Sequence, residues 1–329
     1  MVGDIRVIHI RNDISMDTEV PKDSVTAYSN SKSLWKVTKG VVEILGHAHA
    51  LREDIAWQYY QRQKQSHWTA DEIDFFQDAA DWRKKLSKAQ RQYLMNLLAC
   101  FWDGHSVLHA YLSRGFSQLH SNVALRYFYT HYLGALNVHA EVYMRLLGTI
   151  CDGEAIERCF DDFEGVHNAA AVGLSRWLDM WGDSTDVGKM LFCLVVGETC
   201  WLRAGIRGLK PIEEKGLMPG LHMAHALMER DKGLHLALVA SLLRKHLIPI
   251  PPKPWRRDCL SDAIQQVKNS VDHSRKDMCG FALPMERGLS DMADVLWALV
   301  ELRSGDIVAA QPSTLYTTSI LDDQSKGAD

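Results

Sequence analysis

The segments ALNVHAEVY at 135–143 and ERDKGLH at 229–235 each place a histidine three residues after a position that faces the same way. An α-helix turns once in 3.6 residues, so i and i+3 lie on one side of it. A Glu-x-x-His pair on each of two facing helices points four ligands into a bundle core, an arrangement that holds two metal ions between helices. His139 and His235 keep the second member of each pair, whereas Leu136 and Lys232 occupy the first. The pattern predicts a helical bundle whose inward-facing site has been rewritten.

Composition frames that reading. The chain has 329 residues, 47% hydrophobic and 24% charged, enough for a sizeable core in one large domain or two small ones. A formal net charge of −4 gives no concentrated basic face for phosphates, so nucleic acid is not an expected partner. The opening MVGDIRVIHIRND has charges inside its apolar run and no small-residue cleavage site, and no apolar run approaches membrane-spanning length, so the expectation is a soluble, cytoplasmic protein with no membrane partner. The seven cysteines are scattered, with no Cys-x-x-Cys pair, and read as reduced thiols.

Periodicity divides the chain into a variable arm over 1–52, a helical domain over 53–304 and a polar tail over 305–329. Trp57, Tyr60 and Lys64 begin an amphipathic segment, Thr69 with Glu72 has the form of a helix cap, and Ser87 opens a long apolar helix from about 88 to 113. Further helices are expected at about 121–148, 154–180, 186–209, 217–247, 257–280 and 284–303, separated by Gly- and Pro-rich breaks. No alternating strand pattern competes. The predicted class is all-α, a ferritin-like long-helix bundle.

Five segments now carry a resemblance: SHWTADEID at 66–74, FSQ at 116–118, LNVHAEVY at 136–143, KGLMPGL at 215–221 and ERDKGLH at 229–235. In this order they resemble the small (beta) subunit of class I ribonucleotide reductase, across roughly residues 53 to 320, and KGLMPGL followed by RD-x-GLH is similar to its eukaryotic and viral branch. The resemblance implies a ferritin-like fold and a dinuclear iron or manganese centre. In active members that centre generates a tyrosyl radical, which is passed to a large subunit to start nucleotide reduction.

Residue by residue, the resemblance puts Tyr143 at the radical tyrosine and His139 and His235 at the two histidine ligands. Glu198 matches the intervening carboxylate, since it lies 34 residues before Lys232 as the family's spacing requires; a two-residue slip would place Val196 there. Leu136 and Lys232 replace two glutamate ligands. The first aspartate falls on His105 by a gapless count, with Asp103 the nearest carboxylate; His105 is preferred because reaching Asp103 needs a deletion inside a helix. Trp68 and Asp231 match the radical-transfer route that meets the site through His139. Each of these has a plainer alternative as packing: Trp68 and Tyr143 as large apolar fillers, and Asp231 as a hydrogen-bonded partner of either neighbour.

Charge argues against an ordinary dinuclear centre. Two divalent ions in the family's site face about four carboxylates, and this set retains one, Glu198. A lone buried carboxylate is costly, and an ammonium in the vacated space removes that cost as an ion pair. Lys232 is therefore read as a replacement for metal charge, against the alternative of a solvent-facing lysine. One ion held by Glu198 with His105, His139 and His235 is the mononuclear alternative. The tail departs too: only LDDQSKGAD follows Ile320, without an aromatic residue, and Tyr316 falls within the matched body.

Three functions follow as expectations. The first is an auxiliary small subunit that pairs with another small subunit in a homo- or heterodimer and meets the large subunit, in part indirectly, for deoxyribonucleotide synthesis. The second is a metal-independent radical subunit using Tyr143. The third is a repurposed single-metal oxidase or binding protein.

Overall fold

The computed structural model describes residues 54–151, 153, 167–182, 185–274 and 282–302. The expected arm and tail, with Tyr316, lie outside the described residues. Among the described residues there is no strand, and the chain is all-α as its periodicity predicts. The helices are α1 (Ile55–Gln65), α2 (Phe76–Lys84), α3 (Lys88–Gly115), α4 (Val123–Ile150), α5 (His167–Trp181), α6 (Val187–Gly197), α7 (Ala204–Gly208), α8 (Lys210–Glu213), α9 (Pro219–Arg244), α10 (Lys253–Ser274) and α11 (Ala282–Glu301). No helix in the described part is long and apolar enough to cross a membrane.

Three long helices supply most of the centre. On α3, Leu94, Leu98, Phe101, His105, Leu108 and Leu112 recur at steps of four and three and are buried. The same rhythm on α4 buries Phe128, Tyr132, Leu136, His139, Tyr143 and Leu146, and on α9 it buries Leu221, His225, Met228, Lys232, His235, Val239 and Leu242. Such stripes face a core because each step returns to nearly the same side of the helix. Helix α3 packs along α4, and α9 packs against α1, α2, α4 and α6. The histidines and Lys232 are therefore members of the core stripes themselves.

Helix ends explain the register. Ser87 accepts from the Gln90 N–H at 3.2 Å while the Gln90 side chain accepts from the Ser87 N–H at 3.0 Å, a reciprocal cap for α3. Thr69 was expected to open a helix in the same way, but Glu72 accepts from its backbone N–H at 2.8 Å over a single 3₁₀ turn, Ala70–Glu72. Helix α2 starts afresh at Phe76. Its buried carboxylates reach across the molecule: Asp81 accepts from the Met218 N–H at 2.9 Å, and Asp78 from the Gly220 and Leu221 N–H groups at 2.9 and 2.8 Å. These N–H groups have no partner within α9, at whose start negative charge is also favoured by the helix dipole. A Cβ on Gly220 would meet the Asp74 carbonyl, so the close approach of α2 requires glycine there.

The helix expected over about 186–209 is three pieces. Helix α6 runs into a π-helical turn at Glu198–Arg203 before α7 continues. The wider turn inserts a residue into the helical register, a device found at functional sites. Helix α10 also starts at Lys253, earlier than the proline-rich 249–254 break suggests, because Pro254 fits a first turn that needs no N–H partner.

Candidate functional site

Helices α3, α4 and α9 and the π turn converge on one buried polar cluster. Lys232 is 1% exposed, and its Nζ lies 2.9 Å from His105 Nε2, 3.3 Å from His139 Nδ1 and 3.6 Å from Glu198 Oε1. An ammonium has three N–H donors and no acceptor. Each therefore has one facing group.

The partners fix the imidazole tautomers. His105 Nδ1 is 2.6 Å from the Phe101 carbonyl, so that nitrogen carries hydrogen and Nε2 accepts from Lys232. His139 donates through Nε2 to Asp231 Oδ2 at 3.1 Å, which frees Nδ1 to accept from Lys232. Trp68 Nε1 donates to the same Asp231 oxygen at 2.8 Å, and the Trp68 and His139 rings stack 5.8 Å apart. A continuous line runs from Trp68 through Asp231, His139 and Lys232 to Glu198.

On the far side of Glu198 the contacts change character. His235 Nδ1 is 2.9 Å from Glu198 Oε2, and His235 Nε2 faces the Tyr129 hydroxyl at 3.2 Å. The Tyr132 hydroxyl donates to Glu198 Oε1. Leu136, at the other substituted position, is 1% exposed and offers only a hydrocarbon wall. Tyr143 is fully buried against Phe101 and His105, and its hydroxyl donates to the Met228 sulfur at 3.2 Å.

Three carboxylates around the cluster each face a cation. Glu198 faces Lys232, Asp231 faces Arg230 at 3.2 Å, and Glu229 holds the buried Arg203 guanidinium at 2.8 Å. Burial pushes Glu198 upward, but the His235 hydrogen bond and the Lys232 charge outweigh it and hold the carboxyl at about 2. Burial lowers Lys232, opposed by Glu198. His105 is held well below the usual imidazole value, first by burial and then by Lys232. Burial also raises Tyr129, Tyr132 and Tyr143 well above the usual phenol value.

Of the residues singled out from sequence, Trp68, His105, His139, Glu198, Asp231, Lys232 and His235 meet in this cluster, with Leu136 and Tyr143 on its walls. Asp103 is only half-buried, and Val196 is buried core packing two residues before Glu198. The residues that sequence reasoning missed are Tyr129, Tyr132, Arg203, Glu229 and Met228. Tyr132 was detectable in principle, since it lies one turn before Leu136 on the same stripe. Among the described residues, no group of three or more His, Cys, Asp or Glu side chains is arranged to hold a metal ion.

The model of the ribonucleotide reductase small chain matches residues 48–285. The chain belongs to that family. A ribonucleoside-diphosphate reductase small chain from Yaba-like disease virus is 29% identical over 221 residues, covering 66% of each protein. The chain thus spans just under two thirds of that relative's length. A solved putative class I ribonucleotide reductase from Bacillus halodurans is 15% identical with a TM-score of 0.64, over 78% of this chain and 99% of that one. An R2-like ligand-binding oxidase with a reconstituted Mn/Fe cofactor is 14% identical with a TM-score of 0.63, over 77% of this chain and 93% of that one. These structural likenesses establish the ferritin-like architecture.

Proposed function

We propose that this ribonucleotide reductase small-chain homologue contributes to deoxyribonucleotide synthesis as an auxiliary small subunit whose centre is filled by the Lys232 ammonium. The observation that carries this reading is the placement of Nζ within 2.9–3.6 Å of His105, His139 and Glu198. A dinuclear metal group does not fit such a donor set. Leu136 supplies no donor, the lone pairs of His105 and His139 meet an ammonium, and Glu198 is shared among Lys232, His235 and Tyr132. A second divalent ion would bring like charge beside a fixed cation, at several kcal/mol in a low-dielectric core.

The partners on this reading are another small subunit and, through it, the large subunit. The helical domain of about 53–304 is then the part that pairs. Elemental analysis of purified protein should find well under one equivalent of iron or manganese. Two bound ions with a tyrosyl signal in electron paramagnetic resonance would overturn the proposal. Co-purification with a small subunit carrying all six ligands supports the auxiliary role, and a homodimer that drives reduction with the large subunit alone rejects it.

The metal-independent radical reading draws on the unbroken line from Trp68 to His139. For Tyr143, its proposed carrier, the hydroxyl partner is a thioether. The single-metal reading has less support, because the ring nitrogens of His139 and His235 already face protein partners.

A further inference from the structure

Helix α4 carries a second stripe beside its core stripe. His131, Ala135 and Val138 recur at steps of four and three, each one residue before Tyr132, Leu136 and His139. Helix α1 packs along α4 and contributes Gln63, a polar side chain that is only 2% exposed. Gln63, His131 and Ala135 line a cavity between the two helices, which runs from exposed His67 to buried Trp68 and Asp231.

Burial leaves three polar atoms in this lining unserved. Among the described residues, neither Oε1 nor Nε2 of Gln63 has a hydrogen-bond partner, and nor has Nδ1 of His131. Buried polar atoms without partners are uncommon and costly, and ordered water is their usual remedy. The cavity leaves about 10 Å³ for the centre of a water molecule, which is the room one water needs. Water also suits the chemistry. It both donates and accepts, so it serves the two side chains whichever way the Gln63 amide is turned and whichever tautomer His131 adopts. A cation is opposed by the Arg230 guanidinium, which donates to the Ser66 carbonyl and to Asp231 Oδ1 on the same lining. An anion would meet the Asp231 carboxylate.

We propose that this cavity is a water site, an inlet in which one water bridges Gln63 on α1 to His131 on α4 and brings solvent to the Trp68–Asp231 pair. Trp68 Nε1 donates to Asp231 Oδ2 at 2.8 Å, and the same oxygen accepts from His139. Without an inlet, the Trp68 indole hydrogen would exchange with solvent only when the fold opens locally. With one, it exchanges from the closed native state. Gln63 and His131 are not partners of Lys232, so the site is the same whatever fills the centre.

A crystal structure of the full chain at a resolution that shows ordered water should place one water within hydrogen-bond distance of the Gln63 amide and of His131 Nδ1. In solution, nuclear magnetic resonance of the nitrogen-15-labelled chain in deuterated water follows each indole N–H. That of Trp68 should exchange faster than that of Trp177, which is fully buried and lies outside the cavity lining. Gln63→Leu keeps the side chain's bulk without its polar atoms, and Ala135→Leu fills the space. Each should remove the bound water and slow Trp68 exchange at least several-fold, leaving Trp177 unchanged. A dry cavity, a side chain or an ion in the water's place, or Trp68 exchange that neither variant slows overturns the assignment. If neither variant folds, the water position and the rate of Trp68 against Trp177 in the unaltered chain decide, and equal rates reject the inlet.

Discussion

Lys232 is the residue on which the electrostatics of the centre turn. Replacing it by methionine keeps the length of the side chain but leaves Glu198 buried without its cation. The expected loss is about 3–5 kcal/mol, the range for breaking one side of a buried pair. Adding Glu198→Gln should recover much of it, because the stranded charge is then gone. Urea denaturation of the single and double variants measures both, and a neutral single substitution would dissociate Lys232 from Glu198. The buried histidines set a pH dependence of definite sign. Burial holds His225 down at about 3 and lowers His105 and His139. The unfolded chain takes up these protons near the ordinary value of about 6.5, so stability is full above it. Below that, each histidine still neutral in the fold costs about 1.4 kcal/mol per pH unit, and Glu198 adds its own loss as acid approaches its value of about 2. Denaturation midpoints that stay flat from pH 7.5 to 5.5 would contradict this. The cluster was partly legible from sequence because His139 with Leu136, and His235 with Lys232, sit three apart in apolar stripes. The tyrosines were not, since a phenol on an apolar stripe reads as packing until its hydroxyl partner on another helix is known.

At the level of elements, the seating of α9 depends on α2. Asp78 satisfies two backbone donors at the buried start of α9. Asp78→Ala strands them in the core and should cost about 1–3 kcal/mol, read from thermal or chemical unfolding. A value near zero would show that other groups can serve the same N–H donors. This contact joins residues 142 and 143 positions apart, so no local pattern announces it. The helices themselves were legible because a core stripe with steps of three and four cannot be written as a strand. The π turn at Glu198–Arg203 was not, since a wide turn keeps the apolar composition of the helix around it and changes only the register.

For the whole molecule, the decisive comparison is with and without divalent metal. A protein whose folded state binds an ion at a hundred times its dissociation constant gains about 2.7 kcal/mol. In a domain of this size that shifts the melting point by several degrees. With the ammonium in place, melting curves with iron, with manganese and with a chelator should superimpose. A metal-dependent rise would mean that the ion displaces Lys232. Lys232→Glu should restore some dependence, since it adds a carboxylate beside Glu198 and His235.

The positive charge at this centre is joined to the backbone by four methylenes and cannot dissociate. A cell short of iron, or one whose loading machinery is occupied elsewhere, would still produce this bundle fully assembled from the ribosome onward. On the metal-free reading proposed above, its availability would follow synthesis and turnover, uncoupled from mineral supply.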